Sequence, residues 1–575
     1  MFVLGINAYH ADSSAAIFKD GVMIAATEEE RFRRVKHWAG FPSIAVDFCL
    51  KEAGITLQEV DYVAIGRDVN AKKWKKLAFV AKHPFSSFHF VKNRFFNQKK
   101  VASIEEELNV LSGINTAILK PKIHNIEHHR SHMASAFYAS PYEEAAILSI
   151  DGSGDFSTTM IGIGRGNKIE VLDSVDFPHS LGIFYTAFTQ LLGFPHYGDE
   201  YKIMGLAPYG KPLYVDRLKK IIKLTGNGLF QLNLSYFRSP SKGFVGYGEN
   251  NLPVIPSLFG SKMIAEFGAA RTKEEELTQY HKDLAASVQR VTEETIFYML
   301  NALQKRTGLT KVCIAGGVAQ NSVANGKITR NTSFKEVYIP SAGHDAGISM
   351  GSALYVYHQV FNKARTKPVY SAYTGARFSN ETIEQLLMEK NIQYKKLNDD
   401  LLFDYVADRL INAGVVGWFN GRAEFGPRAL GARSILADPR RTDAKDLLNT
   451  KIKRRESFRP FAPSILKEYV DEYFEVNDVV PFMEKVFPVK KEKHAIIPAV
   501  THADGTGRLQ TVDKEVSPRY YQLIATFGRK SGVPILLNTS FNENEPIVNS
   551  PEEALNCFLR TNMDMLVMEN IIVER

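Results

Sequence analysis

The chain has 575 residues, 45% hydrophobic and 23% charged, with a formal net charge of +8. This is the composition of a globular protein long enough for more than one domain, and no run approaches the roughly 18 apolar residues of a membrane helix. Three isolated cysteines, Cys49, Cys313 and Cys557, exclude a disulfide framework and a cysteine zinc site and lead us to expect a reduced, cytoplasmic protein. The opening MFVLGINAYHADSS lacks the charged region and cleavage site of a signal peptide, so none is expected. FVLGINA reads as a strand, and AAIFKDGVMIAATEE as a hairpin turning at Lys19-Asp20-Gly21. KKWKKLAFVAKHPFSSFHFVKNRFFNQKK (72–100) mixes lysines with phenylalanines. It is either an amphipathic cover over the core or a surface for nucleic acid or anionic membrane.

HNIEHHRSHMASAF (124–137) places four histidines within nine residues. Residues four apart share one face of a helix, so His128 and His132 can offer two nitrogens to one ion. A hydrogen-bonded helix face is the competing reading. AAILSIDGSG (145–154) is a buried strand ending in a glycine-rich turn. VCIAGGVAQNS (312–322) is another, after a long amphipathic helix at about 275–305. EVYIPSAGHDAGISMGSALYVYHQVF (336–361) reads strand, loop, helix. Asp345 in this loop is a candidate third metal ligand or the N-cap of the following helix. Glycine turns at strand ends let backbone N–H groups approach phosphate. Three such ends, with Asp151 and Asp345 beside two of them, resemble the nucleotide cleft of the actin/sugar-kinase superfamily.

KARTKPVYSAYTGARF (363–378) contains a linker, taken as 366–378, between a first domain over 1–365 and a second over 379–575. The second domain opens with a helix in NETIEQLLMEKNIQYKKL and has its clearest strands at 415–419 and 532–538. It is expected to be α/β, and no internal repeat is legible. NGRAEFGPRALGARS brings Arg422, Arg428 and Arg433 after a strand, with Pro427 placed to open a helix. KRRESFR supplies Lys453 and Arg459, and SFN supplies Ser540 and Asn542. Arginine forks suit polyanions. One or two of these five cations are expected instead to pair with acids such as Glu424, Glu456 or Asp438.

HHRSHMASAFYASP, GDEYKIMGLAPYG (198–210), AGGVAQN, GRAEFGPRALGARSILADPR, KRRESFRPFAPSI and LNTSFNENEPIV together resemble the O-carbamoyltransferases of the nodulation and antibiotic-biosynthesis type (NodU/CmcH), from Val3 to about Glu574. The resemblance implies an actin-like first domain, similar to the tRNA threonylcarbamoyl transferases, and a YrdC-like second domain. It implies that carbamoyl phosphate and ATP form carbamoyl-adenylate in the second domain. The first domain would then transfer the carbamoyl group to a hydroxyl of a small natural product or sugar. By the same resemblance, His128, His132 and Asp345 would hold Fe(II) or a similar divalent metal, and Mg²⁺ would accompany ATP. Lys453, Arg459, Ser540 and Asn542, with Arg422, Arg428 and Arg433, would bind carbamoyl phosphate and ATP. Asp151, Gly152, Gly154, Gly316, Gly317 and Asn321 would hold the adenylate. His10 and Asp12 are the candidate bases for the acceptor hydroxyl. GDEYKIMGLAPYG would shape the acceptor side, with Lys202 touching phosphate or pairing with Glu200.

The partners expected are carbamoyl phosphate, ATP and the acceptor, with no nucleic acid; a homodimer is compatible with the sequence. A hydrogenase-maturation enzyme would need Cys-x-x-Cys modules, which three lone cysteines exclude. A tRNA-modifying enzyme would need a concentrated basic surface, for which only 72–100 qualifies. A non-enzymatic adaptor built on that segment would leave the histidine and arginine motifs without a role.

Overall fold

The computed structural model describes residues 1–82, 104–238, 246–248 and 251–575. It forms two compact units, one of Met1–Ala324 and Ile328–Val369, the other of Asn325–Lys327 and Tyr370–Arg575. Residues 370–378, expected to be linker, belong to the second unit. Tyr373 bridges to Glu424 in antiparallel fashion, and its hydroxyl donates to the Leu430 carbonyl.

The first unit is α/β. Strands β1 (Phe2–Asn7), β2 (Ser14–Lys19), β3 (Val22–Glu28), β4 (Tyr62–Ile65) and β5 (Ile123–Asn125) form a sheet of order β3-β2-β1-β4-β5. The hairpin expected at Lys19-Asp20-Gly21 joins β2 to β3. Strands β6 (Glu144–Gly154), β7 (Ser157–Arg165) and β8 (Lys168–Asp176) begin a second sheet. The short pairs β9 (Ile222–Leu224) with β10 (Phe230–Leu232), and β11 (Gly246–Tyr247) with β12 (Pro253–Val254), stand apart. Strands β13 (Lys311–Ala315) and β14 (Glu336–Tyr338) complete the second sheet in the order β14-β13-β6-β7-β8. In each sheet, three antiparallel strands are followed by two parallel ones. The same topology therefore occurs twice, a repeat absent from the sequence reading because backbone pairing recurs while the side chains do not.

Helix His128–Phe137 buries nine of its ten residues, which leaves it no solvent face. Helix Gly347–Leu354 is buried throughout and packs against it. The two backbones approach so closely that a Cβ on Gly351 would overlap the Ser131 carbonyl. Gly351→Ala is therefore expected to cost about 2 kcal/mol or more and to lower the thermal transition of the full chain; an unchanged transition would show that the helices can separate freely. The long helix expected at 275–305 runs Gln279–Thr307 and ends on Gly308 in the left-handed conformation.

Among the described residues, the second unit is built on nine strands: β15 (Lys395–Lys396), β16 (Val416–Phe419), β17 (Arg433–Ala437), β18 (Ala462–Leu466), β19 (Lys485–Pro488), β20 (Thr506–Val512), β21 (Ile535–Ser540), β22 (Met565–Met568) and β23 (Ile571–Glu574). Their order is β15-β23-β22-β16-β17-β21-β18-β20-β19, mixed parallel and antiparallel. Alternation along β16 explains the layering. Val416 and Trp418 join one core with Leu402, Phe403 and Leu523, and Phe419 joins another with Leu387, Leu555 and Phe558.

Candidate functional site

The site of the first unit is assembled from strand ends and from the first turns of the histidine helix. Glu127 caps that helix by accepting the Arg130 N–H at 2.8 Å. Burial pushes the Glu127 carboxyl up to about 7, with Asp155 adding to the effect. Asp155 accepts the His128 N–H at 3.0 Å and the Asp68 N–H at 2.7 Å. The β6–β7 pairing shifts register between Ile150 and Gly154, so Asp151 lies at this irregularity. Gly154 lies flat beneath His128, where a Cβ would meet the imidazole ring.

His128, His132, Asp151 and Asp345 form one buried cluster in which a ligand atom from each lies within 4.8 Å of the others. His128 Nε2 is 3.1 Å from Asp151 Oδ2 and 3.7 Å from Asp345 Oδ1. His132 Nε2 is 3.3 Å from Asp345 Oδ1 and 3.7 Å from Asp151 Oδ2. His132 Nε2 and Asp345 Oδ1 are both buried with no hydrogen bond of acceptable geometry. Buried polar atoms that face one another without bonding call for a shared partner. Donors about 2.1 Å from a tetrahedral ion stand roughly 3.4 Å apart, and a two-imidazole, two-carboxylate set suits first-row metals. The residues therefore fit a divalent metal.

Asp345 does not cap the following helix. Its N-cap is Ala346 and takes no side-chain bond, while the Asp345 carboxylate lies 2.7 Å from His10 Nδ1. Asp151, read from the sequence as an adenylate contact, stands in the cluster with His128, His132 and Asp345 and also accepts the Gly317 N–H at 2.9 Å. Its position beside the histidines had no signal in the sequence, because the register shift that sets it there depends on pairing with β7.

Electrostatics separates the histidines. Burial alone disfavours a charged imidazole, and at His128 it wins, lowering the pKa. At His132 burial is outweighed by Asp151 and Asp345, which raise it to about 9. His10 is raised as well, burial being overcome by Asp345.

His10 and Asp12 do not act on one another as a pair. Asn7 Nδ2 donates to the carbonyls of Ala11, Asp12 and Asp345, at 3.1, 3.1 and 3.0 Å, and so ties the turn after β1 to the loop carrying Asp345. Within that turn His10 faces Asp345, whereas Asp12 Oδ1 is 2.7 Å from His37 Nδ1. Glu30 accepts the His37 backbone N–H at 2.8 Å. These three side chains also bring ligand-type atoms within 4.8 Å, but their groups are bonded to one another. Asp12 overcomes burial and raises His37 to about 9. The pair's stabilisation is fully present below the unfolded value near 6.5 and is lost as pH rises through about 9. After discounting for partial exposure, it is of order 1 kcal/mol. Thermal melts at about pH 6 and about pH 10 are expected to differ more in the parent than in His37→Gln; equal differences would remove this pair from the pH response.

Gly152 borders open space, and Asn321 exchanges hydrogen bonds with Gln289 at 2.9 and 3.0 Å. Lys202 pairs with Asp199 at 2.7 Å and not with Glu200, which accepts from Thr186.

In the second unit, Lys453, Ser540 and Asn542 are brought together. Lys453 Nζ donates to Asn542 Oδ1 and the Asn542 carbonyl, both at 2.7 Å, to Ser540 Oγ at 3.2 Å, and to the Ser540 carbonyl. Arg459 pairs with Glu456 at 2.5 Å, within the expected count of acid pairs. Arg433 is fully buried, stacked 3.6 Å over Phe419, and donates to the carbonyls of Asn420, Gly421, Ala432 and Ala376. Arg422 donates to the carbonyls of Gly375 and Thr374. Both guanidiniums thus brace backbone. Pro427 opens no helix: residues 421–432 form a loop, held by Glu424 Oε1, which accepts the N–H groups of Leu430, Ala432 and Arg433.

Arg428 belongs to a group the sequence did not reveal. Burial, together with the charges of Arg428 and Arg455, depresses Arg508 on β20 well below the arginine range. Among the described residues, Arg508 Nε is buried without a hydrogen-bond partner. The three half-buried guanidiniums repel one another, an arrangement that would suit a polyanion. A single arginine in a short strand reads as a solvated edge, which is why Arg508 was missed.

The chain belongs to the carbamoyltransferase family: the model of the carbamoyltransferase N-terminus matches residues 2–354 and that of the C-terminus residues 407–575. It is 43% identical to an uncharacterized protein of Synechocystis sp., over 100% of this chain and 96% of that one. It is 35% identical to nodulation protein NolNO of Sinorhizobium fredii, over 99% of this chain and 80% of the relative. Nodulation protein NolO of Bradyrhizobium diazoefficiens is 38% identical over 78% of this chain and 79% of its own. Among solved structures, component A of the Acidaminococcus fermentans (R)-2-hydroxyglutaryl-CoA dehydratase aligns with 63% of this chain and 99% of its own at 14% identity and a TM-score of 0.34. The protein is therefore a carbamoyl-transferring enzyme, and no described helix is long and apolar enough to cross a membrane.

Proposed function

We propose that the protein is an ATP-dependent O-carbamoyltransferase acting on a small-molecule alcohol, a sugar or natural product. The second unit carries the activating half. Carbamoyl phosphate loses inorganic phosphate to water. The resulting carbamate oxygen attacks the α-phosphorus of ATP, pyrophosphate leaves, and carbamoyl-adenylate is formed. This step needs positioning and charge neutralisation more than a protein nucleophile. Arg508, Arg428 and Arg455 supply the charge. Lys453 orders the Ser540–Asn542 turn. Mg²⁺ accompanies ATP.

The first unit carries the transfer half. His128, His132, Asp151 and Asp345 would hold the Fe(II)-like ion, which supplies a Lewis acid for the carbamoyl oxygen. Asp345 orients His10 through Nδ1, which turns Nε2 away to take the proton of the acceptor hydroxyl. The Gly152 turn leaves room for the adenylate. The convergence of two histidines and two aspartates beside His10, in a chain of this family, carries the reading.

The test is incubation with ATP, carbamoyl phosphate and a panel of alcohols, followed by mass spectrometry. One added carbamoyl group on an alcohol, dependent on ATP, is expected. Carbamoylation of RNA in preference to every alcohol would overturn the reading.

A further inference from the structure

Helix Lys73–Lys82 turns an apolar stripe outward. Phe79 packs edge-on against Phe156 and Phe177, with ring centroids 5.8 and 5.3 Å away. Lys76, Phe79 and Val80 are half-buried on that side. The opposite side carries Trp74, Leu77, Ala78 and Ala81, spaced i, i+3, i+4, i+7 and all exposed, Trp74 to 81% and Leu77 to 51%. The helix buries no residue completely, though Phe79 covers the buried Phe156–Phe177 cluster. From Val69 to Ile104 the sequence has nine lysines and arginines and no aspartate or glutamate; residues 83–100 of the basic and aromatic stretch lie outside the described residues.

We propose that this helix docks the enzyme on an anionic lipid bilayer. An exposed tryptophan and leucine on one stripe, flanked by cations, suit the boundary between headgroups and acyl chains. Charge placement favours lipid over nucleic acid. Lys72 and Lys75 already bind Asp176, and Lys76 donates to the Val69 carbonyl at 2.9 Å. Lys73 and Lys82 remain exposed at the two ends. The outermost surface is therefore apolar, whereas a phosphate backbone would require outward cations.

The test uses the full chain and vesicles of phosphatidylcholine with roughly one-third phosphatidylserine. Trp38 and Trp418 are 7% and 0% exposed, so a vesicle-induced change in tryptophan emission reports Trp74. A blue shift and co-sedimentation with these vesicles are expected, both weakened about tenfold or more in W74S/L77S. Lys73→Glu with Lys82→Glu is expected to weaken binding to the anionic vesicles. Carbamoyl transfer to a water-soluble alcohol and the thermal transition should be unchanged in both variants. Equal vesicle binding by parent and W74S/L77S overturns the proposal. So does a parent protein that ignores vesicles and binds single-stranded RNA with steep salt dependence.

Discussion

His132→Ala is expected to reduce carbamoyl transfer on the order of 10³-fold and to release bound divalent metal, while carbamoyl phosphate-dependent ATP–pyrophosphate exchange persists. The variant removes one of four donors and leaves Asp151 and Asp345 as two buried carboxylates with His128 between them and His10 still 2.7 Å from Asp345. Both carboxyls are held low by their histidines against the effect of burial. With His132 gone, burial has less opposition, and at least one carboxyl is expected to take up a proton instead of a metal. Persisting exchange would show that the second unit, to which we assign that reaction, is intact, and an unchanged thermal transition would show the same of the first. Metal content equal to the parent's would return these histidines to a hydrogen-bonded helix face.

Arg508→Met is expected to abolish the exchange reaction, by about 10²-fold or more, and at the same time to raise the thermal transition. The two effects have one cause. In the absence of anion, the half-buried Arg508 guanidinium, repelled by the charges of Arg428 and Arg455, is destabilising, and an apolar residue of similar length relieves both repulsion and desolvation. In the proposed reaction, bound carbamoyl phosphate and ATP would neutralise the same three charges. Transfer from synthetic carbamoyl-adenylate should survive in this variant. An exchange rate like the parent's would make the cluster a structural accident.

The sequence disclosed the parts whose chemistry is local. The i, i+4 spacing of His128 and His132 requires only a helix, and the apolar run before Asn7 requires only a buried strand. Lys453, Ser540 and Asn542 could be grouped only by resemblance, yet they meet around one ammonium. What stayed hidden depends on distant partners. Asp151 joins the two histidines and Asp345 through a register shift against β7. Arg433 has the composition of a phosphate fork but lies buried on Phe419, caged by carbonyls. Arg508 acquires meaning only when a loop carrying Arg428 approaches β20. The duplicated strand order of the first unit likewise lives in backbone pairing, which no side-chain pattern repeats.

The most direct measurement of the central claim is the identity of the nucleotide and phosphate products formed during carbamoylation of an accepted alcohol. The proposed chemistry predicts one AMP, one pyrophosphate and one phosphate for each carbamoyl group transferred. ADP as the nucleotide product, or transfer from carbamoyl phosphate at full rate without ATP, would contradict an adenylate route.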